Sequence, residues 1–340
     1  MNGCRKLILI SLISLIIPAS AYASPNASDI LRKSYAAENQ VTFSGRLTTT
    51  VYRGGAAASA EVNVFRSGRR SRMEYVTGPS AGTVIIDDGS SMIRLDRSAG
   101  TAYVSQIPNA PERLGLLMSN YDPVMIGTSK IAGRECYELK LGPKCKCEPS
   151  KKLWIDKQSQ VALKTEGYGS DGRIASSTAY SRIDYSARPS ATLFQIPRGW
   201  KVVGTAAEST VGLDAVRKAV GFTPVKPGYV PKGYRFDDYY LRDMPRCAPF
   251  AALRYTNGLS TISVFERKGG CFGPGFRCGR GRGGPGCGRG MGCGRAGAGC
   301  CVLMDDPQAR MAHTIAGDLT VIIVGDIAAS ELQKMGNSFR

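Results

Sequence analysis

The chain has one histidine, His313, in 340 residues. A single imidazole without a partner motif does not make a Ser-His-Asp set, and its place in an apolar stretch suits a structural side chain. HExxH, the phosphate-binding glycine loop and GxSxG are missing as well. Gly279-Arg280-Gly281-Arg282-Gly283-Gly284 carries spaced glycines, but no strand leads into it and no helix follows, so it reads as low complexity. These absences point away from an enzyme, and no cofactor is expected. Beyond the N-terminus no stretch is apolar enough to cross a membrane. Residues 320–324 are apolar but brief, the length of a buried strand. Acids are scarce: 27 against 45 lysines and arginines, a formal charge of +18.

What is present begins with a leader. Arg5 and Lys6 precede an apolar run over residues 7–17, broken by Pro18 and followed by Ala21-Tyr22-Ala23. That order is the grammar of a cleaved signal peptide over residues 1–23, and the run is too short to span a bilayer. Cys4 lies before the apolar run, so it is not a lipoprotein cysteine. Much of the basic excess is local, because Arg277, Arg280, Arg282, Arg289 and Arg295 share one acid-free stretch. The remainder is moderately basic, which suits anionic envelope surfaces and peripheral membrane contact rather than nucleic acid in an exported protein. Without Cys4 the 11 cysteines become an even set in an oxidising compartment, and disulfides are expected.

The coarse pattern is a helix, a long run of strands, and a second smaller unit. Ser28 is placed to cap a helix ending near Ala37. Alternation then marks strands over residues 41–51 and 61–66 and short ones around the turns at Asp87-Asp88-Gly89-Ser90 and Arg97-Ser98-Ala99-Gly100. A helix is expected near residues 112–118. Strands follow at 135–141, 152–156, 161–168 and 174–180, with Asp171-Gly172 as a hairpin turn. Such a curved antiparallel sheet, covered on one face, encloses an apolar groove. Val62, Val64, Val84 and Ile86 are the residues expected to face it, an assignment that a one-residue slip reverses. Prolines and small residues mark a linker at 201–212. The second unit has a helical stretch, a Pro/Gly-rich entry, strands joined by Asn257-Gly258, paired strands across Ala316-Gly317-Asp318 and a terminal helix.

Residues 269–301 break every pattern. Gly, Arg and Cys dominate, so the segment is expected to be a disordered or disulfide-tied loop. Cys271, Cys278, Cys287, Cys293, Cys300 and Cys301, with Cys247 nearby, have irregular spacing without a CxxC knuckle. Disulfides are expected there ahead of a thiolate metal cluster. In the first unit Cys145 or Cys147 is a candidate to pair with Cys136 if their loop folds back. The five arginines are either a solvated spacer or a basic tether for anionic lipid.

Several phrases together resemble the RseB/MucB family of periplasmic regulators of envelope-stress sigma-factor signalling. They include Asn120-Tyr121, the run Ala132-Gly133-Arg134-Glu135-Cys136-Tyr137-Glu138-Leu139, and Leu153-Trp154-Ile155-Asp156 followed by Val161-Ala162-Leu163-Lys164. Further on come Pro231-Lys232-Gly233-Tyr234, the stretch from Tyr255 to Phe265, and Val321 to Ile327. Asp87-Asp88-Gly89 with Met92 is also similar to LolA-like lipoprotein carriers. The match is collinear over most of residues 28–335, and the Cys/Gly/Arg insertion departs from it. The resemblance implies an α+β chain: a LolA-like half-barrel over residues 24–200 and a smaller mixed domain over 213–340 carrying the insertion. It also implies a periplasmic location and two partners: the periplasmic segment of a membrane-bound anti-sigma factor, and a lipid or lipoprotein acyl chain sensed by the half-barrel. The rival expectations are a lipoprotein carrier and a metal- or redox-responsive binding protein.

Overall fold

The computed structural model describes residues 26–106, 113–146, 148–204, 212–242, 249–269, 302–305 and 310–339. The expected leader and almost all of the 269–301 insertion lie outside these residues.

The chain opens with helix α1 (Ala27–Ala37), whose N-cap is Asn26 rather than Ser28: the Asn26 side-chain oxygen accepts from Ser28 N at 2.8 Å. Ile30, Leu31, Ser34 and Ala37 are its buried stripe, at the spacing that places side chains on one helical face. Strands β1 (Thr42–Arg53), β2 (Ala56–Ser67), β3 (Arg70–Tyr75), β4 (Val84–Asp87), β5 (Ser91–Asp96) and β6 (Thr101–Gln106) form a meander. Helix α2 (Arg113–Asn120) leads into β7 (Tyr121–Ile131), β8 (Arg134–Pro143), β9 (Ser150–Asp156), β10 (Ala162–Tyr168) and β11 (Ile174–Asp184). A 3-10 turn (Ala191–Phe194) and β12 (Lys201–Gly204) complete the unit. The 12 strands form one sheet in the order β12-β6-β5-β4-β3-β2-β1-β11-β10-β9-β8-β7. All its pairs are antiparallel except β12 with β6. Lys201–Gly204, expected in a linker, is therefore an edge strand, because its backbone pairs with the exposed edge of β6.

The sheet is covered on different faces at its two ends. Ile30 and Leu31 of α1 and Leu117 of α2 pack against Tyr121, Leu139, Leu141, Leu153 and Ile155. Ala37 of α1 packs with Phe43, Leu47, Val62 and Val64. On β4–β6 the opposite face is covered: Val84, Ile86, Ile93, Leu95 and Ala102 lie against Phe194, Leu193, Ile196 and Trp200. Arg72 ties that strap down by donating to Leu193 O at 2.9 Å.

The second sheet holds β13 (Arg235–Arg242), β14 (Phe250–Thr256), β15 (Thr261–Lys268), β16 (Val302–Asp305), β17 (Arg310–Ala316) and β18 (Leu319–Gly325), in the order β13-β14-β15-β18-β17-β16. Helix α3 (Leu213–Val220) precedes it, ending at Gly221 in the left-handed conformation with φ +75°. Helix α4 (Ala329–Asn337) follows and buries Leu332 and Met335 in the core made by Leu253, Tyr255, Ile262, Val264, Val321 and Ile323. The α+β class and the large curved sheet agree with the sequence reading.

Glu266 on β15 is fully buried in this domain. One carboxylate oxygen accepts from Val225 N at 2.9 Å and the other has no partner. Burial pushes its pKa up from 4.5 to about 8, against the opposing pull of that hydrogen bond. With the folded pKa above the unfolded one, the stabilising contribution is complete below about pH 4.5 and is lost as pH rises through 8. The full loss is at most about 5 kcal/mol. Glu266→Gln keeps an acceptor for Val225 N and removes the titration. Melting followed by circular dichroism from pH 5 to 9 should therefore show a flatter stability profile for the variant; parallel profiles would refute the assignment.

Candidate binding groove and domain junction

Directly paired residues in antiparallel strands place their side chains on the same face, and neighbours along a strand alternate. One row across the first sheet runs Gly45, Val64, Met73, Ile85, Arg94, Tyr103. The adjacent set on the other face runs Phe65, Arg72, Ile86, Ile93, Val104. Val62 and Val64 thus lie on the helix-covered face, whereas Val84 and Ile86 lie on the strap-covered face. The expected grouping of all four is corrected: alternation is the same in β2 and β4, but the register offsets their faces by one residue. Val62 and Val64 are themselves sealed under α1. On their face the open wall is built by Met73, Tyr75, Ile85, Met92 and Tyr103, with Met92 40% exposed. Arg94 stands in this wall with its guanidinium 4.4 Å from the Tyr103 ring centre.

Further along the same face the lining turns polar and small. One row runs Leu141, Lys151, Gly167, Ser176, Val51, Ala58 and the next runs Leu153, Thr165, Thr178, Thr49, Ala60. Thr49 and Thr178 share a hydroxyl hydrogen bond of 3.1 Å.

At the far end of the sheet Asp156, almost fully buried, gathers Arg134 Nε at 2.5 Å, Ser159 Oγ at 2.7 Å and Tyr185 OH at 3.2 Å. Burial alone would raise the Asp156 pKa; hydrogen bonds from Arg134, Ser159 and Gln158 N outweigh it and hold the carboxyl below its usual range. Arg134 and Asp156 come from the runs at 132–139 and 153–156 that carry the resemblance, and their work is structural. Cys136 sits beside them as a buried free thiol, its pKa pushed up to about 11 by burial. The expectation that Cys136 pairs with Cys145 or Cys147 is corrected. Cys145 is disulfide-bonded, but Cys136 lies near the start of β8 and Cys145 lies beyond its end. Seven extended residues span about 23 Å, far beyond the roughly 7 Å that a disulfide bridges. Cys147, Cys247, Cys271, Cys278, Cys287, Cys293, Cys300 and Cys301 lie outside the described residues, as do Arg277, Arg280, Arg282, Arg289 and Arg295. Among the described residues no group of three or more acids, histidines and cysteines is placed to hold a metal. The His313 ring has a buried nitrogen without a hydrogen-bond partner, and burial lowers its pKa.

The two domains meet through side chains that composition gave no reason to single out. Fully buried Asn257, in the β14–β15 turn, donates to Glu148 Oε2 at 2.6 Å and to Tyr121 OH at 3.0 Å. Tyr121 OH also donates to Glu148 at 3.2 Å. Burial raises the pKa of both Glu148 and Tyr121. Asn120 Nδ2 donates to Gly233 O and Asn257 O at 2.9 and 3.0 Å. Gly258 has φ +95°, and a Cβ there would lie 2.5 Å from Leu117 N, so only glycine fits this turn against α2. A second contact joins Ser170, after β10, to Asp326 Oδ1 at 3.2 Å from its backbone N, and Arg310 Nη1 donates to Ser170 Oγ at 3.1 Å.

Residues 26–198 match the profile described as the MucB/RseB N-terminal domain. The chain belongs to the MucB/RseB family. A curated relative from Pseudomonas aeruginosa, the sigma factor AlgU regulatory protein MucB, is 25% identical over 268 residues, covering 77% of this chain and 80% of that protein. Among solved structures, the Pseudomonas aeruginosa MucA/MucB complex matches with TM-score 0.63 at 19% identity, covering 92% of this chain and 98% of that one. A crystal structure of MucB alone matches with TM-score 0.54 at 18% identity, covering 92% of this chain and 96% of that one. The MucB/RseB fold therefore extends through both sheets.

Two predictions follow from the geometry. Ile86→Ala should cost about 2–4 kcal/mol and Ile85→Ala less than about 1 kcal/mol in urea unfolding, since only Ile86 is sealed under the strap. The reverse order would refute the register. Asn257→Leu removes the donor that buried Glu148 and Tyr121 share, leaving Glu148 with Tyr121 OH alone, at a cost of about 2–4 kcal/mol. Calorimetry should then resolve two unfolding transitions where the intact junction gives one.

Proposed function

We propose that the protein is a periplasmic regulator, exported by its signal peptide, that binds the extracytoplasmic segment of a membrane-bound anti-sigma factor and shields it from proteolysis. A lipid or lipoprotein acyl chain in the half-barrel acts as the release signal. The observation that carries this reading is the match to a curated sigma-factor regulatory protein along both domains, over 80% of that protein's length. Support from the site comes from the wall of Met73, Tyr75, Ile85, Met92 and Tyr103, whose half-exposed apolar side chains suit an alkyl chain. The Asn257 junction locks the groove-bearing domain to the second one, so a change in the groove has a rigid route to the partner-binding unit.

The test uses the mature chain and the extracytoplasmic segment of a single-pass anti-sigma factor from the same genome. Calorimetric titration should give a complex with Kd of about 1 μM or tighter, and the bound segment should be cleaved more slowly by a site-specific protease. A chain that ignores this segment and captures only lipoproteins from envelope extracts is a carrier instead.

A further inference from the structure

Each of the two contacts that join the domains has a carboxylate at its centre. Buried Glu148, in the loop between β8 and β9, accepts at Oε2 from Asn257 Nδ2 and from Tyr121 OH. Half-buried Asp326, just after β18, accepts at Oδ1 from Ser170 N at 3.2 Å and from Ser170 Oγ at 3.3 Å. All four donors are neutral. At Asp156 an arginine is bound directly to the carboxylate; neither junction acid has an ion pair among the described residues. Glu148 is faced by Tyr121 from β7, by Asn257 from the β14–β15 turn and by Tyr234 from the entry to β13. Asp326 is faced by Ser170 and Asp171 from the β10–β11 turn, by Arg310 from β17 and again by Tyr234. Arg310 donates to Ser170 Oγ and Ile327 O rather than to the carboxylate, and Asp171 opposes its pull. Tyr234 is itself buried, which keeps its hydroxyl protonated.

A carboxylate taken out of water without a counter-charge favours its neutral form. Closing the junction does this to both acids at once, and opening it returns both to water. We propose that the domain junction is a proton-sensitive latch: protons on Glu148 and Asp326 hold the two domains together, and their loss at higher pH lets the junction open. Burial raises the pKa of each acid, against the opposing pull of its donors. The closed junction therefore binds protons more tightly than the open one. Its proton-linked stability is complete below pH 3.8, the ordinary value for Asp326, and is lost as pH rises through the raised values of the two acids. The latch is independent of what the groove or the second domain binds.

The experiment is hydrogen exchange followed by mass spectrometry on the full mature chain from about pH 4 to about pH 8, beside Glu148→Gln, Asp326→Asn and the double variant. The reporters are the amides of Leu259 and Ser260, which donate to Asn257 Oδ1 at 3.0 and 2.7 Å and are released when Asn257 lets go of Glu148. Each substitution keeps an acceptor for the same donors and removes the titration. Dividing the rate of the intact chain by that of the double variant at the same pH cancels the intrinsic chemistry of exchange. That ratio should be about 1 at the acid end and reach at least about threefold at the alkaline end, with each single variant showing part of the rise. A flat ratio overturns the latch. If the double variant exchanges freely even in acid, the substitutions have broken its junction outright and the intact chain decides alone. Its rate at these amides, normalised to an unstructured peptide, must still rise at least about threefold; a flat profile overturns the proposal.

Discussion

The constraint on which the rest depends is the hydrogen-bond register of the large sheet. Side chains on a strand alternate with a period of two, so each pairing fixes which half of a strand's residues faces the helices. Across β2 to β6 the register runs without interruption, and the sheet nevertheless buries opposite faces at its two ends. Alpha helices cover the β7–β9 end and the strap around Phe194 covers the β4–β6 end. The uncovered remainder, on the helix side of β3–β6, is the wall that carries Met92 and Arg94. The groove is thus a by-product of where the two covers stop.

Charge is distributed with similar economy. Most buried ionisable groups are held by partners: Asp156 by Arg134 and Ser159, Glu148 by Asn257 and Tyr121. Glu266 is the departure. It has half of a carboxylate satisfied and responds by taking up a proton.

The sequence made the element order, the two units and the turns legible, because Asp171-Gly172, Asn257-Gly258 and Ala316-Gly317-Asp318 are local signals. It also showed that β2 and β4 alternate. It did not show their relative phase, which is set by strand pairing, so Val84 and Ile86 were grouped with the wrong face. Lys151-Lys152 reads as an ordinary polar strand start; only the pairing with Leu141 and Gly167 turns one of the two inward. Asn257 looked like a turn residue, and it is one, since Leu259 N and Ser260 N donate to its side chain. Its second task, as a donor across the junction, depends on a contact 109 residues away in sequence. Proximity on paper likewise misled for Cys136 and Cys145, because an intervening extended strand separates what a loop would have joined.

The parallel pairing of β12 with β6 carries a mechanical consequence. The chain leaves the first domain through Gly204, at the end of a four-residue strand that clips the sheet edge. Just upstream of that clip runs the strap of Leu193, Phe194, Ile196 and Trp200 that backs the groove wall. A pull on the chain at Gly204 therefore loads the β12 ladder in shear. If the clip yields, the backing of Ile86 and Ile93 loosens with it. The β12 clip is in this sense a drawstring, and its far end is the wall against which the acyl chain is proposed to lie.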